Sequence, residues 1–175
     1  QDGAIFEKFK RCRAYETALE LKAEGKIRHF GISFHDRADV LDRILTEYPQ
    51  IEAVQIQFNY VDYEDPSVES RKVYETAAKH GKPVIVMEPV KGGSLVNLPD
   101  EADRIFRSLG NGSNASYALR FAAGFDNMMM VLSGMSTIGQ LNENVSFMAE
   151  PQPLTEREMD AVNQVRKIFS SMGMI

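Results

Sequence analysis

Cysteine is nearly absent: Cys12 is the only one in 175 residues, so no disulfide closes within the chain and no cysteine cluster holds zinc or iron. A reducing, cytoplasmic setting is expected. No apolar run approaches the roughly 18 residues of a membrane span. The first residues, Gln-Asp-Gly-Ala-Ile-Phe, have neither the basic nor the apolar stretch of a secretory leader. Positive charge is in short supply too. The formal net charge is -5, which excludes a general attraction to nucleic acid or acidic membranes. No Gly-x-Gly-x-x-Gly follows any strand-like segment, and this removes the main argument for a dinucleotide-binding doubly wound sheet. There is no low-complexity linker and no internal repeat, so one unit over residues 1–175 is expected, without a metal site.

What the chain does have is alternation. Residues 27–33 read as a strand, after which Asp36 caps a helix with Val40, Leu41, Ile44, Leu45 and Tyr48 on one face. Residues 53–58 form a second strand. The next helix is punctuated by Asp65 as its cap, Pro66 at its first position and Gly81 just past its end. Residues 83–87, Pro-Val-Ile-Val-Met, form a third strand, continuously apolar as strands buried on both faces are. Two helices follow, one through Ala102, Ile105, Phe106 and Leu109 to Gly110, the other through Tyr117, Ala118, Phe121 and Ala122 to Gly124. Residues 128–132 are the fourth strand, with methionines 128 to 130 in its core. Thr137 with Gln140, and Thr155 with Glu158, form capping boxes at the heads of two last helices, the first turning Leu141 and Val145 inward. An earlier helix spans residues 14–24 and stops at Gly25.

Strand and helix in fourfold succession predict a parallel sheet with right-handed crossovers. An open doubly wound sheet and part of a closed barrel both satisfy the pattern. The 175 residues fall short of the roughly 250 of a complete (β/α)8 barrel. In either architecture ligands sit outside the carboxyl ends of the strands. The residues to inspect are therefore Ser33, Phe34 and His35; Gln55, Gln57 and Asn59; Met87, Glu88, Pro89 and Lys91; and Ser133, Gly134 and Met135.

Four stretches carry a resemblance. Residues 25–33 (Gly-Lys-Ile-Arg-His-Phe-Gly-Ile-Ser), 54–60 (Val-Gln-Ile-Gln-Phe-Asn-Tyr), 87–95 (Met-Glu-Pro-Val-Lys-Gly-Gly-Ser-Leu) and 134–144 (Gly-Met-Ser-Thr-Ile-Gly-Gln-Leu-Asn-Glu-Asn) resemble the fifth to eighth strand-end motifs of the aldo/keto reductases. Order and spacing match over nearly the whole chain. A single polar strand-end residue is more often structural than functional; four motifs in series reverse that. The resemblance implies an α/β fold, the C-terminal half of a (β/α)8 TIM barrel, with four parallel strands, crossover helices and a C-terminal helix. It implies an NAD(P)-dependent oxidoreductase that reduces an aldehyde or ketone, with NADP the favoured cofactor, NAD the alternative and a small carbonyl compound as substrate.

The resemblance places Ser33 and Gln55 at the nicotinamide carboxamide, and Met87 where an aromatic ring often stacks on the nicotinamide. Phe34 stands where the family commonly has asparagine. Glu88, Pro89, Val90, Lys91 and Gly93 belong to the loop over the pyrophosphate, where glycine permits close backbone approach and Lys91 offers a cation. Ser133, Gly134, Ser136, Gln140, Glu143 and Asn144 fall at the adenosine end, where a helix N-terminus suits a 2′-phosphate. NADP-selective members often carry Lys and Arg there; this chain has Gly134 and Gln140. Phe34, His35 and Tyr60 are candidates to face substrate. No catalytic residue is assigned within the chain, because the family's proton-donating tyrosine, with its lysine, aspartate and histidine, comes from earlier strands. Relatives with this wording often continue into an iron–sulfur segment, which would lie beyond Ile175. Two other readings stay open: a non-catalytic nucleotide-binding or regulatory module of the same fold, and a half-barrel that forms a homo-oligomer through its unpaired sheet edges.

Overall fold

Four strands, β1 (Gly31–Phe34), β2 (Ala53–Gln57), β3 (Val84–Met87) and β4 (Met128–Val131), lie side by side in that order, every pair parallel. When consecutive parallel strands are neighbours and each crossover is right-handed, all connecting helices fall on one face of the sheet. Burial records that arrangement. Ile32, Phe34, Val54, Ile56, Val84 and Val86 are buried, while the alternate residues Ser33, Gln55, Gln57, Ile85 and Met87 are exposed or half-buried. The computed structural model describes residues 3–173; Gln1, Asp2, Met174 and Ile175, the ends of the expected unit, lie outside the described residues.

The helices are α1 (Gly3–Arg11), α2 (Ala14–Ala23), α3 (Ala38–Glu47), α4 (Ser70–Lys79), α5 (Asp100–Arg107), α6 (Asn114–Ala123), α7 (Ile138–Met148) and α8 (Glu156–Ser171). Leu41, Ile44 and Leu45 of α3, Val73 and Ala77 of α4, and Tyr117, Ala118, Phe121 and Ala122 of α6 join the buried strand residues in one hydrophobic cluster. Ala161, Val162, Val165 and Phe169 of α8 complete it, with α8 packed along α5. Both capping boxes form as expected: Thr137 and Gln140 close the start of α7, Thr155 and Glu158 that of α8. Gly25, Gly81 and Gly110 follow the ends of α2, α4 and α5, each at positive φ.

Several boundaries and faces differ from the sequence-based expectation, each through a tertiary cause. The first strand begins at Gly31 and not at residue 27, because the amides of Lys26 and Ile27 are tied back to the Leu21 carbonyl at the end of α2. Arg37, not Asp36, is the N-cap of α3. Asp36 instead accepts from the amides of Arg37 (2.8 Å) and Gly3 (2.7 Å), tying α1 to the first strand-end loop. Asp65 caps only a turn, accepting from Ser67 N and Val68 N, and α4 starts at Ser70 after a left-handed Glu69. Ile85 and Met87 of β3 are only half-buried, since their face carries no covering layer among the described residues. At β4 the departure is larger. Met129 and Met130 are 54% and 50% exposed, and α7 buries no residue, leaving Leu141 and Val145 at 40% and 55%. A register shift opposite Val84 and Ile85 bulges β4 at Met129. Among the described residues no helix is long and apolar enough to cross a membrane, and no cluster of His, Cys, Asp and Glu could hold a metal ion.

Candidate functional site

Parallel strands bring all four carboxyl ends to one rim. Ser33 and Gln55 are register partners there, and Gln57 is paired with Met87. The strand alternation turns Ser33, Gln55 and Met87 toward the uncovered face. Gln55 Nε2 donates to Met87 Sδ at 3.4 Å, and Ser33 Oγ lies 3.1 Å from His35 Nε2. A hydroxyl and a carboxamide can each donate and accept, and a thioether beside them offers a soft, polarisable contact. Desolvation lowers the His35 imidazole below the usual histidine value, so the ring is neutral at pH 7.

Beyond β3 the chain makes a loop of unusual backbone. Glu88, Lys91, Gly92 and Gly93 all have positive φ, at 57°, 48°, 59° and 96°. Two of these are not glycine, and such conformations persist only when their surroundings hold them. The holding groups are a buried carboxylate and an amide. Asp62, whose side chain is fully enclosed, accepts from Gln57 Nε2 (2.6 Å), Asn59 Nδ2 (2.7 Å) and Lys91 Nζ (2.5 Å). Asn59 Nδ2 also donates to the Glu88 carbonyl at 3.0 Å, and Glu88 Oε2 accepts from Gly92 N at 2.7 Å. Lys91, the residue expected to offer a cation to a phosphate, is ion-paired with the enclosed Asp62. Asp62, which with Asn59 holds this loop, is the residue that strand-end reasoning from sequence left out. Their spacing, an amide three residues before a carboxylate directly after a strand, is the one available signal.

The remaining expected residues fall into three neighbouring hollows. Glu88, Pro89, Val90 and Gly93 line one of about 320 Å³ together with Gly134 and Gln140. Ser133 and Asn144, joined by a 3.1 Å hydrogen bond from Asn144 Nδ2 to Ser133 Oγ, line a second of about 170 Å³. Glu143 faces a third, a cleft of about 750 Å³ between α6, α7 and the start of α8. Ser136 contributes its backbone amide, which is held by Gln140 Oε1.

Two of the candidates to face substrate are placed elsewhere. Phe34 is 1% exposed and points into the helix layer, where it lines a hollow of about 140 Å³ with His35 and Val73. Tyr60 is wholly enclosed, edge-on to Phe106 and Phe121, with its hydroxyl buried and unpartnered. For Phe34 the physical reason is the strand period of two, which turns it to the covered face and Ser33 and Gln55 to the open one; Tyr60 lies past the end of β2, where Phe58, Asn59 and Tyr60 are all enclosed. Burial raises the phenols of Tyr48, Tyr60, Tyr63, Tyr74 and Tyr117 above the ordinary tyrosine value. That is the opposite of the tuning a tyrosine proton donor needs near neutral pH.

With this geometry in hand, comparison with known proteins is direct. The model of the Aldo/keto reductase family matches residues 4–167, and the chain belongs to that family. Aldo-keto reductase AKR11C1 from Bacillus halodurans, in its holo form, is 26% identical and superposes with a TM-score of 0.66 over 86% of this chain and 54% of its own. Two aldo-keto reductase structures from Klebsiella pneumoniae, one in complex with NADPH and one with NADP and acetate, are each 17% identical, with TM-scores of 0.64 and 0.66. They cover 86% and 87% of this chain and 52% and 53% of their own lengths. This chain thus spans about half the length of the structures it matches. A comparison with curated protein sequences finds no match.

Proposed function

We propose that this chain forms the dinucleotide-holding part of an aldo/keto reductase that reduces an aldehyde or ketone, with a nicotinamide dinucleotide as cofactor. One observation carries the reading. Ser33, Gln55 and Met87 stand together on the open face, at the carboxyl rim of a sequentially ordered parallel sheet, beside a glycine-containing loop of positive-φ residues. These groups suit the cofactor class: the hydroxyl and carboxamide match the donor and acceptor of a nicotinamide carboxamide, and the thioether suits contact with a flat ring. When bound, the dinucleotide supplies the hydride. Ser33 and Gln55 would orient the carboxamide, residues 88–93 would present backbone to the pyrophosphate, and residues 133–144 would meet the adenosine end. The Klebsiella pneumoniae complexes with NADPH and NADP support the same cofactor class. The raised tyrosines lead us to place the proton donor to the carbonyl outside these residues.

The test is titration of the full-length protein containing this chain with reduced dinucleotide, followed by its fluorescence, alongside turnover on a panel of aldehydes and ketones. Binding is expected. Gln55→Ala is expected to weaken it about fivefold to tenfold, the equivalent of one neutral hydrogen bond. No binding together with no turnover would remove the reading.

A further inference from the structure

In the loop after β3, Lys91 is out of place by its backbone. Gly93 N donates to the Val90 carbonyl at 3.0 Å, which makes Lys91 and Gly92 the two central residues of a turn. Their φ angles are 48° and 59°, the positive pair of a type I′ turn, whose ordinary central residues are Asn-Gly or Gly-Gly. A left-handed backbone lowers the population of a residue with a Cβ by a factor of about five to ten or more, whereas glycine adopts it freely. Lysine therefore holds this conformation against its own preference, and something beyond the turn must keep it there.

The side chain supplies the tether. Lys91 Nζ lies 2.5 Å from Asp62 Oδ1, and the Asp62 side chain is wholly enclosed. The anchor is itself fixed: Asp62 accepts from Gln57 Nε2 at 2.6 Å and from Asn59 Nδ2 at 2.7 Å, and its own amide donates to Asn59 Oδ1 at 2.9 Å. An ammonium drawn to that point cannot also reach across the loop. The hollow of about 320 Å³ beside the loop is lined by Val90, Gly92 and Gly93 but not by Lys91. The turn thus presents backbone to the hollow and turns its cation away.

We infer that Asp62 is a positioning residue for dinucleotide binding, that it acts by holding Lys91 in the left-handed backbone of this turn, and that Lys91 serves through its backbone and not as a cation for phosphate. The inference rests on the proposed dinucleotide site. When the tether is cut, a residue with a Cβ relaxes out of the turn, and affinity falls by the fraction of molecules that leave the competent conformation. Glycine at the same position has no such reason to leave.

The experiment is titration of the full-length protein containing this chain with NADH and with NADPH, followed by nucleotide fluorescence, each variant first shown by urea unfolding to be folded. Lys91→Ala and Lys91→Gly both remove the ammonium and leave Asp62 its bonds from Gln57 and Asn59, so they differ in backbone freedom alone. Lys91→Ala is expected to weaken whichever dinucleotide binds by about fivefold or more, and Lys91→Gly to stay within about threefold of the unmodified protein. Asp62→Asn cuts the tether from the other side, because one amide oxygen cannot serve Gln57, Asn59 and Lys91 as two carboxylate oxygens do. It is expected to weaken binding to a similar extent, and adding Lys91→Gly to recover most of the loss, which a general weakening of the fold would not allow. If Asp62→Asn does not fold, the Lys91 pair decides alone. Equal losses in Lys91→Ala and Lys91→Gly would show that the ammonium itself meets the cofactor and would overturn the inference. So would full affinity in Lys91→Ala, or a loss in Asp62→Asn that Lys91→Gly leaves unrepaired. In those cases the dinucleotide site stands; if the unmodified protein binds neither nucleotide, the proposed function falls and the inference with it.

Discussion

Arg120 and Glu158 show how much one pair of side chains can carry. Their side chains are only 12% and 3% exposed, and the carboxylate also accepts from Thr155 N and Oγ1 at 2.8 and 3.0 Å. One carboxylate thus joins α6, the segment before α8 and the first turn of α8. The Arg120 hydrogen bonds overcome desolvation and push the Glu158 carboxyl from the ordinary 4.5 down to about 2. A carboxyl depressed in the folded state contributes stability that is fully present above its unfolded value and is lost as pH falls through the folded one. Urea unfolding should therefore show stability declining between about pH 5 and pH 2, and Glu158→Gln should flatten that slope while lowering stability at neutral pH. Parallel pH slopes for the two proteins would show that the pair is thermodynamically silent. Glu52 is pushed equally low by Lys22, but both partners are more than a third exposed, so water and salt screen that pair and it contributes much less.

Elements differ in what holds them. Helix α8 has five buried residues, whereas α7 has none and is held by its capping box, its own hydrogen bonds and the bond from Asn144 to Ser133. An 11-residue helix without a buried face is marginal in water. Thr137→Ala, at a cost of about 1 kcal/mol, is accordingly expected to speed amide exchange throughout α7, while Thr155→Ala leaves the centre of α8 protected. Unchanged exchange in α7 would mean that something other than the cap holds it. The same contrast explains how much of the fold could be read in advance. Capping boxes and glycine stops are local chemistry, and Thr137, Thr155, Gly25 and Gly81 all behave as their sequence context implies. Asp36 and Asp65 misled because a carboxylate before a helix can serve any nearby amide, and Gly3, 33 residues away, competes successfully for Asp36. Inward faces were legible for α3 and α6 but not for α7, since periodicity says that a helix has an apolar side and not whether anything covers it. At the site, strand-end position picked out Ser33, Gln55 and Met87. The pairing of Lys91 with Asp62 and the enclosure of Tyr60 depend on contacts between segments about 30 to 60 residues apart, such as Lys91 with Asp62 and Tyr60 with Phe106 and Phe121, which spacing does not encode.

The sheet has one covered face. Helices shield Ile32, Val54 and Val84, but past β4 the apolar side chains continue into solvent: Leu132, Met135, Ile138 and Val145 are 41%, 40%, 72% and 55% exposed. Met129 and Met130 of β4 are exposed as well, so exposed apolar side chains run in sequence from β4 into α7. The outer edges of β1 and β4 have no strand partner among the described residues. Exposed apolar side chains and an unpaired strand edge each favour association, and here both occur at β4. The 175-residue chain on its own is therefore expected to bind an apolar fluorescent dye and to sediment faster than a monomer at micromolar concentration. Placing charge here with Met130→Lys and Ile138→Glu should restore the monomer and quench the dye signal, because charged edge residues block strand-to-strand pairing and lessen the exposed apolar surface. A charge placed at Cys12 or on the exposed side of α3 should do neither. If the unmodified chain stays monomeric and dye-silent, water must tolerate these side chains, and association through the β4 edge is ruled out as a property of the chain.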